Sequence, residues 1–459
     1  MLSPLYLVAA ALAASFTLGL LNPKRSGAAY AITLVTLAFM AWVPAGWLWG
    51  FMAEGAQPVE IYTAGALPPY AINLRMGLAE AAMTLLITLT GLLSALYLKE
   101  SLIKLGHRGM AVLMVALMAF CGIVLTRDLF NLFVFFELAA ISTAGLILLS
   151  EDERALSAGF KYLIVSQLVS TFLLIGILFA YHASGTLNLD TMASARLPHG
   201  SAPSFALAFF LMFIALVTEL KPFPANGWAL DIYESAHPAY SALFSAAAAT
   251  ASLYAVDKLL LVGGPGWYPM ATGIGITTFL AANLFALPQG NDRRLLGYSS
   301  LAQIGLILVV LGQRDLLGEG TPFIAFGLLV SHAVAKAGLY WLSGLVGGRS
   351  LTDWAALRGR PLLVFAFISF VAMLTSLPPF PGFYAKWELV RVLAGEGRLA
   401  LLALILIGAL VEAGYLFRWF GYMLKREAPA EAVNGEPHQV VPVYVAVLAG
   451  WVVAAWGVK

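Results

Sequence analysis

The sequence predicts an all-α polytopic membrane protein with about 14 transmembrane helices, two inverted five-helix repeats and breaks in helices 7 and 12. Three observations lead there. Of 459 residues, 61% are hydrophobic and only 11% charged, against roughly 45–50% and about 25% in an ordinary soluble domain. Apolar stretches of ~20 residues recur from end to end, each long enough to cross a hydrocarbon core of about 30 Å. Two of these stretches are interrupted by closely spaced prolines. A soluble enzyme, a nucleic-acid binder and a disordered scaffold are excluded, and a net charge of +2 offers no basic field for nucleic acid.

Backbone groups in lipid must bond internally, and nothing alternates in the ten-residue pattern of a barrel, so the spans read as helices. They are placed at 4–22, 28–50, 77–98, 109–126, 128–149, 159–182, 204–221, 239–262, 269–288, 297–312, 322–346, 361–377 with a broken continuation to 394, 399–424 and 439–458. Lys24 and Arg25 follow the first apolar stretch instead of preceding it, so 4–22 is expected to be a retained span, not a signal peptide. The expected organisation is helices 1–3 over 1–108, a first repeat of helices 4–8 over 109–262, a second of helices 9–13 over 263–424, and helix 14 within 425–459.

Loops after odd-numbered spans carry thirteen Lys and Arg, from Lys24 to Arg426. The other side carries six: Arg75, Arg127, Arg196, Arg314, Arg398 and Lys459. Both termini are therefore expected outside, although Glu151, Asp152 and Glu153 dilute the bias.

The breaks come next. Span 7 ends in Glu219-Leu-Lys221-Pro222-Phe-Pro224, and span 12 contains Leu377-Pro378-Pro379-Phe-Pro381-Gly382. Paired prolines remove helix hydrogen bonds, which lipid tolerates only beside a protein-lined or hydrated cavity. The breaks lie five spans apart. An odd separation reverses orientation, which suits inverted repeats better than two unrelated kinks.

An ionisable side chain at mid-depth is a functional candidate by default. Glu137 stands inside Phe133-Val-Phe-Phe-Glu137. Lys161, near the start of span 6, suits a pathway or an interface anchor equally. Glu219 and Lys221 flank the first break and would face opposite ways on a regular helix. His332 and Lys336 are four apart, share a helical face and suit a proton relay. Lys386 follows the second break; Glu388, two residues on, suits an exit. Asp257 with Lys258, and Glu412 with Arg418, read as packing or interface pairs. Cys121 in its apolar run is a small buried hydrophobe, so this chain holds no disulfide or iron–sulfur ligation. No phosphate loop, dinucleotide fingerprint, metal spacing or nucleophile elbow is present, and no cofactor is expected in the chain.

These residues resemble the antiporter-like subunit family shared by respiratory complex I, Mrp-type cation/proton antiporters and membrane-bound hydrogenases. The resemblance rests on Asp128-Leu-Phe-Asn-Leu-Phe-Val-Phe-Phe-Glu137-Leu, Phe160-Lys161-Tyr162, Gly185-Thr-Leu-Asn-Leu, Trp228-Ala-Leu-Asp231-Ile-Tyr-Glu234, Asp292-Arg-Arg-Leu-Leu-Gly-Tyr298, His332 to Lys336, and Pro378-Pro-Phe-Pro-Gly382-Phe-Tyr-Ala-Lys386, in that order. It implies a central line of charge and water carrying H⁺ or Na⁺, with Glu137 as acidic partner, His332 and Lys336 as central connection, and Lys386 beyond the second break. Asp231 and Glu234, in the segment after broken helix 7, are assigned to exit or coupling. Expected partners are further antiporter-like membrane subunits and a redox arm. Glu219 stands where the family usually has a span-7 lysine, Asn226 where a histidine is common, and Ala249 or Thr250 where a span-8 lysine belongs. A coupling subunit without a complete channel is therefore a second expectation, and a stand-alone solute permease a third.

Overall fold

The computed structural model describes residues 1–22, 24–63, 65–66, 68, 71–149, 153–194, 203–425, 433 and 435–457. Glu151, Asp152, Arg196, Arg426 and Lys459, which entered the charge bias, lie outside the described residues. Among those described, eleven helices are long and apolar enough to cross a membrane. Three shorter apolar helices accompany them: Leu5–Leu20, Pro203–Glu219 and Pro361–Leu374.

The chain sorts into two units that interleave in sequence: 1–220 with 247–266, and 221–246 with 267–459. The first unit holds α1 (Leu5–Leu20), α2 (Ser26–Ala53), α3 (Leu78–Tyr97), α4 (Lys99–Leu125), α5 (Leu129–Leu148), α6 (Glu153–Ser184), the short α7 (Leu189–Ser194) and α8 (Pro203–Glu219). The second unit begins with α9 (Gly227–Ser235) and α10 (Pro238–Leu243); a π turn, Phe244–Ala248, then leads into α11 (Ala249–Gly263), which packs with the first unit. The rest of the second unit is α12 (Tyr268–Ala286), α13 (Asp292–Gly312), the one-turn α14 (Arg314–Leu317), α15 (Gly320–Val346), α16 (Pro361–Leu374), α17 (Pro381–Gly395), α18 (Leu399–Leu424) and α19 (Pro437–Gly457).

In the first unit α4 is the buried centre. Leu113, Leu117, Cys121 and Val124 are fully enclosed among α1, α2, α3 and α5, as expected of a helix apolar on every side. Its helical run restarts after Gly106, whose φ of 69° only glycine adopts cheaply. One feature was not predicted: the connection 51–76 contains an antiparallel hairpin, Val59–Tyr62 paired with Asn73–Met76.

In the second unit α13 takes the central place. It lies so close to α12 that a Cβ at Gly275 would sit 2.7 Å from the Gly305 carbonyl oxygen. Without a hydrophobic force between helices in lipid, such small-residue contacts supply much of the packing.

One local device occurs in both units. Asp128 caps α5 by accepting from Asn131 N–H at 2.8 Å and bridges to Asn188. Asn291 caps α13 by accepting from Arg294 N–H at 3.0 Å and bridges to Ser350. Each side-chain oxygen satisfies a donor that the helix start leaves open. The breaks match as well. After α8, Lys221 has φ 61° and the Phe223–Pro224 bond is cis; after α16, Ser376 has φ 55° and the Pro378–Pro379 bond is cis.

Candidate functional site

The second unit gathers most of the predicted charge. Lys221 emerges from the first break with its Nζ 3.8 Å from the centre of the Phe244 ring, a cation–π contact. Its left-handed backbone costs about 1–2 kcal/mol for a residue with a Cβ. Its direction is thus set by the break, not by the regular helix that would put it opposite Glu219. The π turn carrying Phe244 also carries Ser245, whose carbonyl lies 3.2 Å from His332 Nε2 and whose hydroxyl lies 2.6 Å from that of Ser300. The other ring nitrogen of His332, Nδ1, is buried without a hydrogen-bond partner among the described residues. One turn along α15, Lys336 is completely enclosed and donates to the Leu296 carbonyl at 3.1 Å.

Lys386 lies on α17 beyond the second break. Its Nζ is 3.5 Å from Glu412 Oε2 on α18, and Gln303 Nε2 on α13 donates to Glu412 Oε1 at 2.7 Å. The predicted pairing of Glu412 with Arg418 is therefore corrected: Arg418 donates to the Leu287 and Gln289 carbonyls. Between α13, α15 and the second break runs a crevice with about 170 Å³ of unfilled space, lined by Gln303, Ser331, His332, Ser376 and Gly382 among others. Gly382 N–H donates across it to Ser331 Oγ at 2.8 Å, tying the start of α17 to α15.

The first unit is arranged differently. Glu137 is half-buried on α5 and accepts from Gln167 Nε2 of α6 at 3.2 Å. Lys161 is exposed on α6. Glu219 is the last residue of α8 and is buried. Sequence reasoning passed over Glu80 here and read Lys258 only as a packing or interface partner of Asp257. Glu80, buried at the start of α3, accepts from Tyr254 Oη at 2.6 Å and from Gly77 N–H at 3.0 Å. Lys258, 2% exposed on α11, donates to the carbonyls of Ile123, Val124 and Thr126 at 2.7, 3.2 and 2.8 Å. An ammonium seated on the open carbonyls of a helix C-terminus also meets the negative end of its dipole. The signal for both was simple: an ionisable residue within an apolar run. Near these groups Arg127 forms a two-pronged ion pair with Asp190. Burial pushes the Asp190 carboxyl up, but Arg127's hydrogen bonds and charge outweigh it and hold the group below the usual carboxylate range.

Glu234, Asp231 and Glu388, expected at an exit or in coupling, pair with arginines. Glu234 and Asp231 face Arg294 Nη1 at 2.7 and 3.7 Å, bracing α9 against α13. Glu388 pairs with Arg391 on its own helix at 2.5 Å. Among the described residues, no group of three or more His, Cys, Asp or Glu side chains could hold a metal ion.

Buried lysines, a histidine and carboxylates on broken apolar helices define a membrane protein built around internal charge. The model of the NADH:quinone oxidoreductase/Mrp antiporter transmembrane family matches residues 126–411, and the chain belongs to that family. It is 29% identical over 380 residues to NADH-quinone oxidoreductase subunit N of Desulforudis audaxviator, covering 79% of this chain and 74% of the relative. Its fold resembles a chain of the membrane-bound sulfane sulfur reductase, an archaeal respiratory membrane complex, with a TM-score of 0.89, 26% identity, and 99% and 95% of the two chains covered. A chain of the Mrp complex from Dietzia sp. gives a TM-score of 0.85 at 20% identity, with 99% and 94% covered, and shares the fold.

Proposed function

We propose that this chain is an ion-translocating, antiporter-like subunit of a redox-coupled or Mrp-type complex in the cell membrane, with both termini outside. Protons, or Na⁺ in exchange for them, move by changes in protonation and pairing among Glu137, Lys161, Glu219, Lys221, His332, Lys336 and Lys386. The two five-helix repeats, 109–262 and 263–424, supply the half-paths. The observation that carries this reading is the enclosure of Lys336 with a single carbonyl acceptor among the described residues, at 3.1 Å. A buried ammonium this thinly satisfied is costly unless its proton can leave.

A second reading, a coupling subunit without a complete channel, draws on Lys258. Lys258 is seated on three carbonyls, and neither Ala249 nor Thr250 can carry charge where the family has its span-8 lysine. Purification of the tagged chain with its native partners, followed by reconstitution into vesicles, tests both. The first reading expects Lys336→Met to assemble and lose proton flux. Undiminished flux in that assembly would favour the coupling subunit.

A further inference from the structure

We infer that Glu412, with Gln303 as its anchor, is a proton-carrying partner of Lys386. This rests on the translocation reading above and adds a residue to it. Glu412 is 1% exposed, and its two oxygens are treated differently by the fold. Oε1 is fixed by the Gln303 amide at 2.7 Å, whereas Oε2 has no hydrogen bond among the described residues and faces Lys386 Nζ at 3.5 Å. Lys386 Nζ likewise makes no hydrogen bond among them. Two buried, opposite, unsatisfied groups therefore stand one short movement apart. A tightly hydrogen-bonded pair would be locked in its ionic form; this one is held open.

The transfer balances simply. One proton leaves the Lys386 ammonium for Glu412 Oε2, giving a neutral amine and a carboxylic acid, with net charge unchanged. In a low-dielectric interior the ion pair bears a desolvation penalty that the neutral pair escapes. Gln303 keeps the carboxyl aimed at Lys386 in both. It also lines the crevice that reaches His332, so the anchored carboxyl stands between Lys386 and the His332 side of the unit.

Glu412→Gln keeps the shape and removes the protonatable group. In the reconstituted native assembly we expect it to assemble normally and to lose proton flux by about tenfold or more, within the usual contribution of a positioned acid–base group. Glu412→Asp, which retains the carboxyl but retracts it, is expected to pump at an intermediate rate. Normal flux in Glu412→Gln overturns the inference. Should that variant fail to assemble, Glu412→Asp decides: full-rate pumping would show that contact with Lys386 is not needed and overturn the proposal, and a reduced rate supports it. Lys386→Met separates the levels. If it too pumps normally, the translocation reading fails at this site; if it is inactive while Glu412→Gln is normal, only the role of Glu412 fails.

Discussion

Lys258 in the first unit and Lys386 in the second are both enclosed by apolar helices, yet the fold treats them in opposite ways. Lys258 spends its three donors on three carbonyls at the end of α4, between 2.7 and 3.2 Å. Lys386 has no hydrogen bond among the described residues and one carboxylate at 3.5 Å. Lys336 lies between these extremes, with one carbonyl. A lysine bound by a full set of acceptors has its ammonium satisfied by the fold. One left short of acceptors bears an uncompensated desolvation cost. In the reading proposed above, acceptor count, more than burial, separates anchored ammonium groups from proton-carrying ones.

The largest effect that could break this contrast is a matched pair of variants. Lys336→Met should lower proton flux by about a hundredfold. Lys258→Met should leave flux per assembled complex near normal while lowering thermal stability, since each abandoned buried carbonyl costs about 1–3 kcal/mol. Flux and melting temperature measured on the same preparations check both. Equal loss of flux in the two variants would end the distinction.

Glu137→Gln comes next. A carboxylate stabilises a neighbouring ammonium, and its removal should slow translocation by about tenfold while the chain still inserts and assembles. Full pumping by the assembled variant would remove Glu137 from the path. At the first break the ranking is the prediction: Lys221→Ala should resemble Glu137→Gln, and Glu219→Gln should be milder. The reverse order in vesicles would make Glu219 the switching group and Lys221 an anchor.

The smallest effect concerns the Arg127–Asp190 pair, where the Asp190 carboxyl is held below its ordinary value of 3.8. A depressed carboxylate stabilises the fold above the unfolded value, and that contribution is lost as pH falls through the folded one. Asp190→Asn should therefore lower stability at neutral pH by no more than about 1 kcal/mol, because the pair is partly exposed. The difference should vanish in strong acid. Melting curves at several pH values read this directly.

Much of the architecture was legible because membrane helices announce themselves by length and apolarity. The two breaks were legible because Pro222, Pro224, Pro378, Pro379 and Pro381 cannot continue a helix. Glu137, His332, Lys336 and Lys386 stood out as charges in apolar runs. Glu412 stood out too, but its partner did not: Lys386 is 26 residues away across a helix turn-around, and the nearer Arg418 is drawn off by carbonyls. Lys258 stood out as well, and its partners did not. Its acceptors are backbone carbonyls at the end of α4, which no side-chain pattern encodes. The crevice beside the second break depends on packing between helices and could not be read from the prolines alone.

The central claim is that a loosely held lysine in the second unit moves protons, and Lys386→Arg tests it most directly. Arginine keeps the positive charge and the reach towards Glu412 but does not release a proton at accessible pH. Proton flux through the reconstituted native assembly should be abolished in Lys386→Arg, as in Lys386→Met, with assembly intact. Near-normal flux in the assembled Lys386→Arg variant would contradict the account and make Lys386 a charged anchor for α17.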